Sequence, residues 1–101
     1  MPRICGKQRG FMHCRKIKVK GVVQGVGYRA WAKRLATELG VSGYVKNCED
    51  GSVEMVVCAP DNIITVMINA AKKGPAASVV KSVEVEETDY KAEDKEFRIW
   101  I

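Results

Sequence analysis

Residues 21–29 read Gly21-Val22-Val23-Gln24-Gly25-Val26-Gly27-Tyr28-Arg29. Gly25 and Gly27 allow a tight backbone turn and a close approach to a ligand without Cβ interference. A loop of this kind that opens a helix delivers its amide N–H groups to the helix N-terminus, where an anion is favoured. Arg29 would stand in the first helical turn, against the positive end of the helix dipole, at a cost of about 0.3–1 kcal/mol at an exposed site. A bound phosphate reverses that sign, because guanidinium and amides then converge on one anion. The ordinary alternative is a surface arginine beside a glycine-shaped turn. The run fits neither GxxxxGK[ST] nor GxGxxG, so a nucleotide cradle is not indicated.

The elements around this loop follow from hydrophobic spacing. Arg15 to Val23 alternates, with Ile17, Val19 and Gly21 on one face and Lys16, Lys18 and Lys20 on the other, as in a half-buried strand with a wet basic face. Tyr28 to Leu39 has helical spacing, with Trp31, Leu35 and Leu39 on a stripe beside Ala32 and Ala36, and Gly40 is its C-cap. Ser42–Cys48 and Ser52–Cys58 are strand-like and joined around Glu49-Asp50-Gly51. Asp61 to Lys73 forms a second helix, with Ile64, Met67, Ile68 and Ala71 inward, stopped by Gly74-Pro75. Ser78–Thr88 is another strand. A polar turn then leads to a short strand carrying Phe97, Ile99 and Ile101.

Parity fixes the hairpin register. A two-residue Asp-Gly turn would put Lys46 on the face of Met55, an unpaired buried charge. A three-residue loop with Gly51 in a left-handed bulge pairs Cys48 with Ser52 and gathers Val45, Asn47, Val53, Met55 and Val57 on one face, so the second register is predicted. It leaves Cys48 and Cys58 too far apart for a bridge. The order β-α-β-β-α-β plus a terminal strand predicts an α+β fold, a ferredoxin-like βαββαβ sandwich with an antiparallel sheet and two helices on one face. In such a unit the first two strands run parallel with one strand between them. Their C-terminal ends share a sheet edge, and Asn47 comes toward the start of the first helix. Its carboxamide could orient a water with one donor and one acceptor. A turn-side Asn that serves backbone groups is the commoner alternative.

The chain has 101 residues, nearly half of them hydrophobic, which suits one ordered domain. Residues 1–14 are expected to be a basic extension and 15–101 the domain. Met12 is a candidate true start. No apolar stretch has bilayer-crossing or signal-peptide length, so a cytoplasmic monomer with no membrane partner is expected. The four cysteines, Cys5, Cys14, Cys48 and Cys58, show no CxxC and no histidine at ligand spacing, which argues against zinc, and four free thiols are expected. His13, the only histidine, is assigned to the extension with no role. The net charge of +5 favours anionic partners.

On these motifs the sequence resembles the acylphosphatase family. The family's GxVQGVxFR-like signature appears at 21–29, with Tyr28 where phenylalanine is common. Its GW/YVxNxxDGxVE-like hairpin appears as Gly43-Tyr44-Val45-Lys46-Asn47-Cys48-Glu49-Asp50-Gly51-Ser52-Val53-Glu54, and Gly74 to Val79 is a weaker echo. The resemblance spans roughly residues 15–101. It implies hydrolysis of acyl phosphates to a carboxylate and inorganic phosphate, with no metal or cofactor. By this match the loop amides of Gln24, Gly25, Val26, Gly27 and Tyr28 and the Arg29 guanidinium hold the phosphoryl group, and Asn47 positions the attacking water. The chemistry is consistent: a mixed anhydride expels a stable carboxylate and needs no general acid, so positioning and charge stabilisation suffice. The substrate phosphate is expected to accept the water's proton. The alternative is a basic ferredoxin-like module that binds nucleic acid, encouraged by the three lysines. RNA-recognition versions stack bases on sheet-face aromatics with an RNP-type K/R-G-F/Y run, and no such run is found here. A carbamoyl-phosphate domain, as in larger hydrogenase-maturation factors, ranks below both.

Overall fold

The computed structural model describes residues 12–92 and 94–100. Its elements are β1 (His13–Val22), α1 (Tyr28–Leu39), β2 (Ser42–Asn47), β3 (Val53–Ala59), α2 (Asp61–Lys73), β4 (Val79–Glu87) and β5 (Phe97–Trp100). The strands form one sheet in the order β4-β1-β3-β2-β5. β1 and β3, β1 and β4, and β2 and β3 pair antiparallel, whereas β5 runs parallel to β2. The sheet is therefore mixed at one edge. This is the expected ferredoxin-like α+β fold with a parallel fifth strand.

Alternation separates the two faces of the sheet. Ile17, Val19, Val45, Val53, Met55, Val57 and Phe97 are buried in one cluster with Tyr28, Ala32 and Ala36 of α1 and Ile64, Met67 and Ala71 of α2. Both helices thus cover one face. The inner line of α1 is its alanines, with Trp31, Leu35 and Leu39 packed half-buried beside them, because small side chains let the helix lie close to the sheet. Gly40 ends α1 in the left-handed region, and the Val41 N–H reaches the Ala36 carbonyl at 2.8 Å to close the last turn. α2 has Asp61 in its first turn and Lys72 and Lys73 in its last, signs that suit the helix dipole.

The hairpin takes the predicted register. Asn47 pairs with Val53 and Lys46 with Glu54, and the Cys48 N–H bonds the Ser52 carbonyl at 2.9 Å across a three-residue loop with Gly51 at φ 91°. The Gly51 N–H returns to the Cys48 carbonyl at 3.2 Å.

The opposite face carries a smaller cluster: Tyr44, Val56 and Cys58, with Cys14, Tyr90 and Ala92 against them. The segment after β4 runs over this face, so Tyr90 meets Tyr44 edge-on and Trp100 stacks on Tyr44 at 3.8 Å. Here the expectation of four free thiols fails. Cys14 and Cys58 are directly opposed in the β1–β3 ladder and form a disulfide, while Cys48 is free and Cys5 lies outside the described residues. His13 and Cys14, assigned to the extension, are the first residues of β1, and His13 Nε2 lies 3.8 Å from Asp61 Oδ1. Residues 1–11 of the expected extension lie outside the described residues.

Candidate functional site

The loop from β1 to α1 is fixed at both ends by apolar anchors. Val23 and Tyr28 are buried in the helix-side core, and Val26 packs partly against it. Tyr28 also donates its hydroxyl to the Ala71 carbonyl at 2.8 Å, in the last turn of α2, where a carbonyl has no helical partner. This accounts for a tyrosine where the family commonly has phenylalanine. Burial raises its phenol well above the ordinary value.

Between the anchors the backbone takes two left-handed steps, Gly25 at φ 76° and Gly27 at φ 80°. An added Cβ would meet no atom within 4 Å at either position, so conformation and not crowding requires glycine there. Gly27 is the N-cap of α1 and supplies no side chain to the helix. The first turn carries no acidic residue, and the first helical bond runs from the Trp31 N–H to the Gly27 carbonyl at 3.0 Å. The first-turn amides therefore lack the usual side-chain acceptor, and the half-buried Arg29 stands among them.

Asn47 is the last residue of β2. Its Oδ1 is buried and has no hydrogen-bond partner among the described residues. A buried acceptor left empty costs roughly 1–3 kcal/mol, so this atom is suited to a water or ligand donor. Gly25, Gly27, Tyr28, Arg29 and Asn47 line one cleft of about 420 Å³ together with Val23, Ala30 and Ile99. Arg29 is the only charged residue among them. Among the described residues no three His, Cys, Asp or Glu side chains gather as a metal ion would need.

Two loop residues expected to lend the site their backbone amides turn their side chains elsewhere. Val26 packs against the core. Gln24 is not among the lining residues, and its Nε2 donates to the Cys48 carbonyl at 2.7 Å and the Ser52 carbonyl at 2.8 Å. Ile99 was missed as a lining residue. Its alternation with Phe97 puts it on the helix-covered face, but only the parallel pairing with Val45 brings that face to the cleft.

The basic open face is not a bare cation stripe. Lys16 and Lys46 both approach Glu54, at 3.8 and 3.9 Å, and Tyr44 donates to the same carboxylate at 2.8 Å. Lys18 meets Asp50 and Lys20 meets Glu84, each at 3.2 Å. The face also holds aromatic rings, but Tyr44 is 8 % exposed and stacked under Trp100.

The acylphosphatase family profile matches residues 15–99. An acylphosphatase of Caldivirga maquilingensis is 54 % identical over 72 residues, covering 70 % of this chain and 76 % of that protein. Among solved structures, the acylphosphatase of Bacillus subtilis superposes with a TM-score of 0.82 at 32 % identity, covering 90 % of this chain and 100 % of that one. The acylphosphatase of Coxiella burnetii superposes with a TM-score of 0.81 at 33 % identity, covering 91 % and 96 %.

Proposed function

The chain belongs to the acylphosphatase family, and from that premise we propose that it hydrolyses the carboxyl–phosphate bond of acyl phosphates to a carboxylate and inorganic phosphate. One observation supports the assignment of roles: Asn47, whose buried Oδ1 has no hydrogen-bond partner among the described residues, lines the same cleft as Arg29 at the uncapped first turn of α1. The Arg29 guanidinium and the amides of the 24–29 loop hold the phosphoryl oxygens. The Asn47 Oδ1 accepts a hydrogen bond from the attacking water and turns a lone pair toward phosphorus. The water's oxygen bonds phosphorus as the bond from phosphorus to the carboxylate oxygen breaks. The water's proton goes to a phosphate oxygen, and the carboxylate leaves as a stable anion. Fixed donors and geometry are what this reaction needs, because charge spreads over the equatorial oxygens in its transition state. No metal ion enters the proposed reaction.

Hydrolysis of benzoyl phosphate with EDTA present tests this. Wild type should turn over, and Arg29→Ala and Asn47→Ala should each lose roughly 100-fold or more in kcat. Inorganic phosphate binding should weaken in Arg29→Ala and persist in Asn47→Ala. The wild-type kcat should be flat across neutral pH, since no lining side chain is a base in that range. Full activity in either variant removes that residue from the mechanism, and a metal requirement removes the mechanism itself.

Nucleic-acid binding is the weaker proposal, because the lysines that encouraged it are paired with carboxylates. Salt-sensitive RNA retention without phosphatase activity would favour it. We further propose a cytoplasmic monomer whose amino-terminal extension ends before β1 begins at His13, with the catalytic domain from there onward. No helix among the described residues is long and apolar enough to cross a membrane. The disulfide is unusual for a reducing compartment, so cell fractionation and the intact mass of the natively expressed protein are the relevant measurements.

A further inference from the structure

Arg29 and Asn47 act on one substrate from two elements, the 23–27 loop with α1 and the β2–β3 hairpin. Their separation must be held by something other than the ligand. The side chain of Asn47 does not fix itself, since its Oδ1 has no partner among the described residues. Its orientation depends on where the end of β2 lies relative to the loop.

Gln24 joins the two. It stands between Val23 and Gly25, both of which line the cleft, yet its side chain reaches to the hairpin. One nitrogen donates both of its hydrogens, to the carbonyls of Cys48 and Ser52 at 2.7 and 2.8 Å. Those carbonyls belong to the pair that closes the hairpin loop, and Cys48 follows Asn47 in the chain. Among the described residues these are the only hydrogen bonds between the 23–27 loop and the hairpin. A fork of two bonds fixes the direction of the carboxamide as well as its distance, which a single bond would not.

We propose that the Gln24 side chain is a positioning residue, holding Asn47 at a set distance from the phosphate-binding loop while touching no substrate itself. The inference rests on the hydrolysis proposed above. It assigns separate tasks to the residue's backbone, which belongs to the loop, and to its carboxamide.

Gln24→Met keeps the length and the backbone but removes both donors. Displacing a water-positioning group by a fraction of an ångström should lower kcat for benzoyl phosphate about ten-fold or more, with the competitive Ki of inorganic phosphate within about two-fold of wild type. An unchanged kcat overturns the proposal. So does a Ki that rises in step with the loss of kcat, which would mean that the loop had collapsed or that the side chain binds phosphate directly. Gln24→Ala is the second variant should the methionine not be accommodated. A measurement on the wild type is independent of either: the Gln24 Nε2 hydrogens should exchange with solvent much more slowly than those of a free glutamine amide, and free-amide exchange would refute the fork. A wild type inactive on benzoyl phosphate would defeat the hydrolysis reading and the positioning role with it, while slow exchange would still report the fork.

Discussion

Reduction of the Cys14–Cys58 disulfide should destabilise the fold without touching the site. The bond joins β1 and β3 across a sequence separation of 44. Closing a loop of that length removes unfolded-state entropy worth about 4 kcal/mol near room temperature. Measured losses on removing native disulfides run at about 2–5 kcal/mol. For a domain of this size each kcal/mol moves Tm by about 4–8 °C, so reduction should lower Tm by roughly 10 °C or more. Cys14 and Cys58 pair near the start of β1 on the open face, whereas the cleft lies beyond the other end of β1 at the start of α1. The kcat of the reduced protein well below its new Tm should therefore match that of the oxidised protein. The assay compares urea midpoints of oxidised protein, TCEP-treated protein and Cys14→Ala, the partly exposed partner being chosen because Cys58 is buried. Peptide mapping under alkylation verifies the bond. Coincident midpoints, or Cys14 and Cys58 both alkylated before reduction, would refute the reasoning.

Tyr28→Phe should cost about 0.5–1.5 kcal/mol by leaving the Ala71 carbonyl without its donor; thermal unfolding reads it, and a Tm at or above wild type would contradict it. Hydrogen bonds from the Ser52 hydroxyl and amide, and then from Lys18, hold the Asp50 carboxyl below its ordinary 3.8. The folded form thus favours the carboxylate, so its contribution is complete above pH ~4 and is lost as pH falls through the depressed folded value. Asp50→Asn should be less stable than wild type at neutral pH, and the gap should close on acidification below pH ~4. Urea midpoints along a pH series test this, and a gap that persists in acid would refute it.

Local chemistry was legible where a single residue decided the outcome. Gly40 marked the end of α1, and Lys46 could not be buried, so the hairpin register followed from parity. Arg29 and Asn47 came together because the topology forces the ends of β1 and β2 to one edge. The disulfide was not legible for a related reason. No turn connects β1 to β3, so nothing local sets the register that opposes Cys14 to Cys58. Gln24 was hidden because its acceptors are backbone carbonyls, which have no sequence signature. The polar stretch after β4 looked like a turn, yet Tyr90 and Ala92 fold back to build a second small core whose partners come from β1, β2, β3 and β5.

Gly27 leaves α1 without a side-chain cap. On the hydrolysis proposed above, the anion is this helix's missing cap, so occupancy and folding are linked quantities. Phosphate that binds only the folded chain adds RT ln(1 + [L]/Kd), about 2.7 kcal/mol at a hundred-fold excess over Kd. The empty enzyme is then the least stable member of its own catalytic cycle. Released phosphate both inhibits and protects it, and ambient phosphate sets how long an idle copy survives.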